Sequence, residues 1–222
     1  MNAILAGTFN ATPSQVERLR ERHGSKAKEI VCCGLPITVL GGVYQTSTDT
    51  ELMAESVRIT SSESFLEIGC GTGVISLVLG KRGHHGLGVD INKRAVKNSR
   101  LNAARHQIKN VIFTESDVFK KVKGRFDVIV CNPPYTDHPA SDAIEKMFWD
   151  ENNAMTQRFF QEVSRFLNKN GRVYFGWADF ADIDVRLPFR LAKDNTFALV
   201  HTFSKQPSKK NYKFYVLEFQ PE

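Results

Sequence analysis

The feature that most constrains this sequence is a glycine-rich turn between a short apolar strand and an apolar helix. The strand pattern Phe65–Ile68 is followed by Gly69, Gly71 and Gly73, and residues 74–79 predict a buried helix. Glycine allows a tight turn whose backbone N–H groups approach a ligand at the positive end of the helix. The spacing G-x-G-x-G is one residue shorter than the dinucleotide fingerprint G-x-G-x-x-G. The turn therefore predicts a ligand site and disfavours a nicotinamide oxidoreductase.

Further along the chain, strand patterns alternate with helix patterns. Strands are predicted at residues 86–90, 111–114, 126–131, 172–177, 197–203 and 212–219, and helices at residues 50–57, 93–106 and 155–167. This alternation predicts an α/β fold with a parallel sheet. Residues 183–191 alternate like a strand, but the fold needs a crossover helix there. We therefore expect a helix that is kinked or started at Pro188.

The first 42 residues are predicted to form an appendage to a domain at residues 43–222. Thr12-Pro13-Ser14-Gln15 has the form of a capping box with proline at the first helical position, which predicts a surface helix ending near His23. Two β-rich runs flank Gly34-Leu35-Pro36 and predict a hairpin.

Composition excludes several classes of protein. With 222 residues, of which 41% are hydrophobic and 24% charged, the chain can bury a core and is not mostly disordered. No apolar run approaches the roughly 20 residues of a membrane helix, and no signal peptide is expected at the start. The four cysteines form no C-x-x-C pair, so neither disulfides nor a metal site is expected, and a reducing cytoplasm is favoured.

Acidic residues follow the predicted strands at positions suited to a nucleoside. Asp90 ends the second strand, about twenty residues after the glycines, where a carboxylate can bind ribose hydroxyls. Asp117 follows the third strand, where it can meet an adenine edge. Glycine turns and strand-end acids are common in α/β proteins, but the combination with Glu67 favours a bound cofactor over a purely structural turn.

The segment 65–73 reads Phe-Leu-Glu-Ile-Gly-Cys-Gly-Thr-Gly and resembles the first motif of the class I S-adenosylmethionine-dependent methyltransferases. The resemblance covers residues 43–219 and implies a Rossmann-like sheet, mostly parallel with an antiparallel last strand, and helices on both faces. It also implies that the loop holds the methionine part of the cofactor, Asp90 the ribose and Asp117 the adenine amino group. The cofactor-binding residues expected on this basis are Glu67, Gly69, Cys70, Gly71, Gly73, Asp90, Ile91, Asp117, Val118, Asn132 and Thr50.

Asn132-Pro133-Pro134-Tyr135 follows the fourth strand and resembles the N-P-P-Y signature of methyltransferases that modify nitrogen conjugated to a π system. The substrates implied are the exocyclic amines of adenine or guanine and the side-chain amide of glutamine. The lone pair of such a nitrogen is delocalised, so the nitrogen must pyramidalise to attack a methyl group. The Asn132 side-chain oxygen and the Pro133 carbonyl can each accept one N–H and aim that lone pair. The Tyr135 ring can stack on a flat substrate; the alternative is that Pro133-Pro134 only ends a strand.

The segment 43–50 reads Val-Tyr-Gln-Thr-Ser-Thr-Asp-Thr and resembles the V-Y-x-P-x-x-D-T segment of the glutamine methyltransferases that act on translation release factors. In that group the segment closes over the cofactor. Thr46 replaces the proline here, and a surface loop is the alternative interpretation.

The distribution of charge does not decide which class of substrate the chain uses. The net charge of +6 permits an RNA or DNA partner, and ten basic residues lie between residues 93 and 125. Lys205, Lys209, Lys210 and Lys213 lie in a loop that should emerge on the rim where substrate arrives. Five acids at residues 137–151 form an acidic lip, which would discourage a long phosphate backbone.

Three functions are compatible with these observations. The favoured one is a nitrogen methyltransferase whose substrate is RNA, DNA or a glutamine-bearing protein. The second is a small-molecule methyltransferase on the same fold. The third is a cofactor-binding interaction protein without catalysis, against which the intact Asn132–Tyr135 motif argues. The sequence leaves the choice of substrate and the oligomeric state open.

Overall fold

The computed structural model describes residues 26–142, 144–180 and 184–222, together with Glu17, Glu21 and Gly24. The predicted helix of residues 12–23 lies outside the described residues, apart from those two glutamates. Within the described part of the chain, no helix is both long enough and apolar enough to span a membrane.

A β-hairpin precedes the main sheet, as predicted. Its strands are β1 (Lys28–Cys32) and β2 (Leu35–Val39), which pair antiparallel with Cys32 opposite Leu35. The turn therefore consists of Cys33 and Gly34, both with positive φ (53° and 71°). The predicted turn at Gly34-Leu35-Pro36 is displaced, because Leu35 and Pro36 already pair with Cys32 and Val31. Two-residue hairpin loops with positive φ at both positions match the right-handed twist of the strands, and glycine at the second position adopts that conformation without steric cost.

A seven-stranded sheet forms the centre of the described chain. Its strands are β3 (Phe65–Ile68), β4 (Gly86–Asp90), β5 (Val111–Glu115), β6 (Phe126–Cys131), β7 (Leu167–Ala178), β8 (Phe197–Lys205) and β9 (Phe214–Pro221). Their order is β5-β4-β3-β6-β7-β9-β8. The first five strands of that order are parallel, and β9 runs antiparallel between β7 and β8. The predicted fold class, with its antiparallel last strand, is confirmed.

Five α-helices pack around this sheet among the residues that the structure describes. They are α1 (Thr48–Ser56), α2 (Val74–Lys81), α3 (Lys93–Arg105), α4 (Ala154–Glu162) and α5 (Leu187–Asp194). Pro188 lies in the first turn of α5, as expected for a helix that starts there. The helix predicted at residues 155–167 is longer than the observed helix α4, which ends at Glu162. After Glu162 the chain tightens into a 3₁₀ turn, and Leu167 already pairs with Phe126 of β6 as the start of β7.

Two asparagines of α3 fix the hairpin to the main domain. Asn98 Oδ1 accepts the Leu40 N–H at 2.7 Å, and Asn102 Oδ1 accepts the Thr38 N–H at 3.0 Å. Both side-chain amides also donate to the Thr38 carbonyl. Both asparagine side chains are buried and fully engaged with backbone, so they hold the chain just before residues 43–50 in one place.

Two glycines on β4 leave space for aromatic rings of the neighbouring strands. A Cβ on Gly86 would lie 2.2 Å from the Phe65 ring, and a Cβ on Gly88 would lie 2.6 Å from the Phe113 ring. Any side chain at these two positions would push β4 away from its neighbours. Close packing therefore keeps Asp90, at the end of β4, beside the glycine turn that follows β3.

Candidate active site

A cavity of about 950 Å³ opens at the carboxyl ends of the parallel strands. Ligands bind at this edge in open α/β sheets, and the volume is near the upper end for small-molecule sites. Every predicted site residue lines the cavity except Gly73. A Cβ on Gly73 would lie 3.0 Å from the Ser99 Cβ, so this glycine allows α2 to pack closely on α3.

The glycine turn presents open backbone to the cavity. Gly69, Gly71 and Gly73 all have positive φ (75°, 52° and 86°). The Gly69 and Cys70 N–H groups bind the Val89 carbonyl at 2.8 and 3.0 Å, which ties the turn to β4. No heavy atom lies within 4 Å of where a Cβ on Gly69 or Gly71 would sit, so a ligand can approach the backbone closely there.

Glu67 is a buried carboxyl group in the wall of the cavity. Its side chain on β3 is 2% exposed, and its Oε2 accepts the Ser76 N–H at 3.0 Å and the Ser76 hydroxyl. Burial raises the pKa of Glu67 to about 8, and the nearby Asp90 carboxylate adds to that effect. The group therefore carries its proton near neutral pH when the cavity holds no cation.

Asp90 has one backbone donor on each oxygen. The Gly71 N–H binds Oδ2 at 2.9 Å, and the Asn92 N–H binds Oδ1 at 2.8 Å. Burial raises the pKa of Asp90, and these two hydrogen bonds act in the opposite direction. Since a carboxylate offers about four acceptor sites, Asp90 keeps capacity for the two hydroxyls of a ribose.

Asp117 is held by an arginine that the sequence did not reveal. The Arg158 guanidinium of α4 binds both oxygens of Asp117, with Nη1 at 3.1 Å from Oδ2 and Nη2 on Oδ1. This contact holds the pKa of Asp117 below its usual value. Val118, the next residue, has a positive φ of 48°, which is a strained conformation for a β-branched side chain. The backbone here is fixed by contacts rather than by local preference.

The predicted catalytic motif, Asn132–Tyr135, is joined to the 43–50 segment by a buried carboxylate. Asp49 is 3% exposed, and its Oδ2 accepts the Asn132 Nδ2–H at 2.8 Å. The Tyr135 hydroxyl donates to the Asn132 Oδ1 at 2.5 Å and lies 3.3 Å from Asp49 Oδ2. The Tyr44 hydroxyl lies 3.4 Å from the same oxygen. Sequence analysis did not select Asp49 or Tyr44 as site residues, although the resemblance of the segment was a signal for both.

The Tyr135 ring lies among other aromatic rings of this chain. It makes edge contacts with Trp177 and Phe180, at centroid distances of 6.1 Å for both, and a tilted contact with Phe214. Burial, with Asp49 close by, raises the pKa of Tyr135 well above its usual value, so the hydroxyl stays a donor. The cavity lining contains further aromatic side chains: Tyr44, Phe148, Trp149, Phe180, Tyr212 and Phe214.

Most carboxylates of the acidic lip accept hydrogen bonds from nearby backbone N–H groups. Asp150 accepts the N–H groups of Met155 and Thr156 in the first turn of α4. Asp137 accepts the Asn152 N–H, Asp142 accepts two backbone N–H groups, and Glu145 accepts the Ser141 N–H. Four of the five acids therefore shape the loop by accepting backbone N–H groups.

The comparisons with known proteins agree with the site. Residues 36–216 match the family model of the methyltransferase small domain. A "Putative protein N5-glutamine methyltransferase" of Methanocaldococcus jannaschii is 34% identical over 147 residues, which is 63% of this chain and 74% of that protein. A release factor glutamine methyltransferase of Fusobacterium nucleatum is 29% identical, over 75% of this chain and 52% of that protein.

A solved structure shares the fold. The 16S rRNA N2 G1207 methyltransferase of Thermus thermophilus, in complex with AdoMet and guanosine, superposes with a TM-score of 0.62 at 19% identity, over 89% of this chain and 50% of that one. This chain thus spans about half the length of that protein and of the Fusobacterium relative.

Fold, cavity and family agree on one class of enzyme, the class I S-adenosylmethionine-dependent methyltransferases. The chain belongs to the methyltransferase small domain family. The predictions of the enzyme class and of S-adenosylmethionine as cofactor are confirmed. The residues present fit that cofactor, since the glycine turn is open, Asp90 has spare acceptor capacity, and Asp117 lies farther along the same edge. The roles of the individual residues stay predictions.

The raised pKa of Glu67 predicts a pH-dependent stability. Between about pH 4.5 and pH 8 Glu67 is ionised in the unfolded chain and protonated in the folded chain, so the free energy of unfolding falls as pH rises. The slope from this one group is at most about 1.4 kcal/mol per pH unit. Glu67→Gln keeps an acceptor for Ser76 and removes the slope, so its stability relative to wild type should rise from pH 5 to pH 8 in urea unfolding.

Glu63→Gln is the matched control for that experiment. The Arg172 ion pair lowers the pKa of Glu63 to about 2, so this group is ionised in both states above pH 5. Its stabilising contribution is fully present from pH 5 to pH 8, and its loss should be the same throughout that window. A Glu67→Gln difference that is equally flat would contradict the protonated Glu67.

The Arg158 contact predicts an effect on cofactor affinity. Arg158→Met should weaken binding of S-adenosylhomocysteine roughly 3- to 10-fold, the effect of about 1 kcal/mol, because the Asp117 carboxylate loses its fixed orientation. Isothermal titration calorimetry measures this, and Asp117→Asn combined with Arg158→Met should be no worse than Asp117→Asn alone. Glu162→Gln, which removes only the more distant partner of Arg158 at 3.9 Å, is the control. Tighter binding by Arg158→Met would mean that Arg158 competes with adenine instead.

Proposed function

We propose that this chain methylates a conjugated nitrogen, and that the side-chain amide of a protein glutamine is its substrate. The observation that carries the proposal is the Asn132 side chain, which lines the cavity and has both ends of its amide held by Asp49 and Tyr135. An immobilised amide oxygen is a preorganised acceptor for the N–H of a planar substrate.

The chemistry follows from that arrangement. When bound, S-adenosylmethionine supplies a methyl group activated by a sulfonium centre. The Asn132 Oδ1 accepts one N–H of the substrate amide, and the Pro133 carbonyl accepts the other. These two contacts turn the nitrogen lone pair towards the methyl group and favour its pyramidal form. No strong base is needed in the site, because the nitrogen becomes acidic once it is methylated.

Three features favour glutamine over a nucleobase. Segment 43–50, which resembles the glutamine methyltransferases, lines the cavity and supplies Asp49 to the catalytic motif. The relative for which this chain covers 74% of the length carries a glutamine methyltransferase name. Among the rim lysines, Lys205 lies 3.6 Å from Glu51 and 3.3 Å from Glu55, so the positive charge of Lys205 is neutralised by these glutamates of α1.

A cytoplasmic location remains our prediction. It is based on the four cysteines, all of which are free thiols.

Labelled methyl transfer tests the proposal. With labelled S-adenosylmethionine and a cell extract separated into RNA, DNA, protein and small molecules, label should enter the protein fraction and be recovered there as methylglutamine. Asn132→Ala should lower turnover about a hundredfold or more while cofactor affinity stays nearly constant. Asn132→Asp should retain more activity than Asn132→Ala, since it keeps an acceptor oxygen. Equal turnover by Asn132→Ala and wild type would contradict the catalytic assignment.

A nucleobase amine is the second candidate, and the exposed lysines of the rim favour it. Lys209, Lys210 and Lys213 are exposed, and their loop adjoins the cavity through Tyr212. If RNA or DNA is the substrate, replacing Lys209 and Lys210 with alanine should lower the salt slope of binding by about two, one per lost phosphate contact. The glutamine proposal predicts no phosphate-type slope in a salt series. A measured loss of slope, with label in the RNA or DNA fraction, would replace the first candidate by the second.

A further inference from the structure

Asp49 gathers donors from two separate segments of the chain, its own segment 43–50 and the Asn132–Tyr135 motif, onto one buried carboxylate. Its Oδ1 accepts the Ser47 hydroxyl at 2.6 Å. Its Oδ2 accepts the Asn132 amide at 2.8 Å, with the Tyr135 and Tyr44 hydroxyls at 3.3 and 3.4 Å. The carboxylate is 3% exposed and lines the cavity.

The surroundings compensate the burial of this carboxylate. Asp49 lies in the first turn of α1, where free N–H groups and the helix dipole favour a negative charge. The Ser47 hydroxyl and the Asn132 amide donate to different oxygens, so both lone-pair regions are used. A carboxylate bound in this way stays in one rotamer, and its position depends on the chain before α1.

An asparagine amide has a donor end and an acceptor end, and Asp49 distinguishes them. A carboxylate only accepts hydrogen bonds, so it can bind the Nδ2 end of Asn132 and not the Oδ1 end. The Tyr135 hydroxyl donates to Oδ1 and fixes the other end in the same sense. Because an amide oxygen has two lone pairs, Oδ1 keeps the capacity to accept one further N–H.

We propose that Asp49 is a positioning residue for methyl transfer, which holds Asn132 so that its Oδ1 is the acceptor for the substrate N–H. This role rests on the proposed function of the site. The charge-assisted bond to Nδ2 also shifts electron density towards Oδ1, which strengthens the acceptor as positive charge develops on the substrate nitrogen. Asp49 acts through Asn132 and needs no contact with substrate.

Turnover of two Asp49 variants tests the proposal. Asp49→Ala should lower kcat about 10- to 100-fold, in the range found when a supporting contact behind an active-site group is lost, while cofactor Kd stays nearly constant. Asp49→Asn keeps an acceptor oxygen for Asn132 and should recover part of that loss. If the Ala variant instead raises cofactor Kd and leaves kcat unchanged, Asp49 only shapes the cofactor site and the proposal is wrong.

A double-mutant cycle shows whether Asp49 acts through Asn132. In the Asn132→Ala background, Asp49→Ala should change kcat by no more than about twofold, because the group it positions is already absent. The same 10- to 100-fold loss in both backgrounds would show an independent role and would overturn the proposal. Asp49→Asn serves in the same cycle if the Ala variant does not fold.

Asp127→Ala is the matched control for both experiments. Asp127 also accepts an asparagine Nδ2–H, from Asn168 at 2.6 Å, and two donors of Ser64, but it lies at the start of β6 and does not line the cavity. It should lower thermal stability and leave kcat unchanged. A comparable loss of kcat in this control would show that general destabilisation explains the Asp49 variants, which would remove the support for positioning.

The Asn132 side-chain amide signals in an NMR spectrum give a readout that does not depend on any substrate. The signals, assigned as those missing in Asn132→Ala, should move towards the values of a solvated asparagine in Asp49→Ala and should not move in Asp127→Ala. Unmoved signals in Asp49→Ala would overturn the orientation itself. If these signals behave as expected while wild type methylates no glutamine, the proposed substrate fails and the Asp49 contact stands.

Discussion

The parallel register of the central strands is the constraint on which the site depends. Ile68 of β3 lies opposite both Val89 of β4 and Cys131 of β6. The residue after each of these is therefore brought to one level of the sheet edge: Gly69, Asp90 and Asn132. The residues predicted to bind the cofactor and to act in catalysis come from places that are far apart in sequence, and the hydrogen-bond ladders align them. A shift of one residue in a strand would turn its side chains to the opposite face and displace its end.

Four of the carboxyl groups that line the cavity are each held by a different kind of contact. Glu67 is buried and binds its proton, Asp90 takes two backbone N–H groups, Asp117 is paired with Arg158, and Asp49 is surrounded by hydroxyl and amide donors. These differences give the groups different tasks. A protonated Glu67 can ionise to meet a cation, whereas a firmly bound Asp49 can orient a neutral amide. The same residue type can therefore have different protonation and different binding capacity at different positions of one cavity.

The sequence predicted those parts of the fold and site that depend on local signals. Glycine at positive φ, an acid at the end of β4 and a proline at a helix start are read from a few adjacent residues, and the structure contains each of them. The hairpin is also present, with its turn at Cys33 and Gly34 rather than at residues 34–36. The helix predicted at residues 155–167 is longer than the observed one. Its apolar periodicity continues through Leu167, but the pairing of Leu167 with Phe126 already starts β7 there.

Sequence analysis did not identify Asp49 and Arg158 as site residues, because their partners lie 83 and 41 residues away. The sequence predicted an acidic lip, but it did not indicate that most of these carboxylates also accept backbone N–H groups in local turns. Tertiary packing decides which hydrogen-bond partner each of these side chains meets, and the spacing of residues in the sequence does not reveal it.

The most direct test of this account is a crystal structure of the chain with S-adenosylhomocysteine and a glutamine-containing peptide. The account predicts the ligand in the cavity with its ribose on Asp90, and the glutamine nitrogen within hydrogen-bonding distance of the Asn132 Oδ1 and the Pro133 carbonyl oxygen. Asn132 should keep its Nδ2 on Asp49. A glutamine nitrogen bound away from Asn132, or an Asn132 amide turned so that Nδ2 faces the substrate, would contradict it.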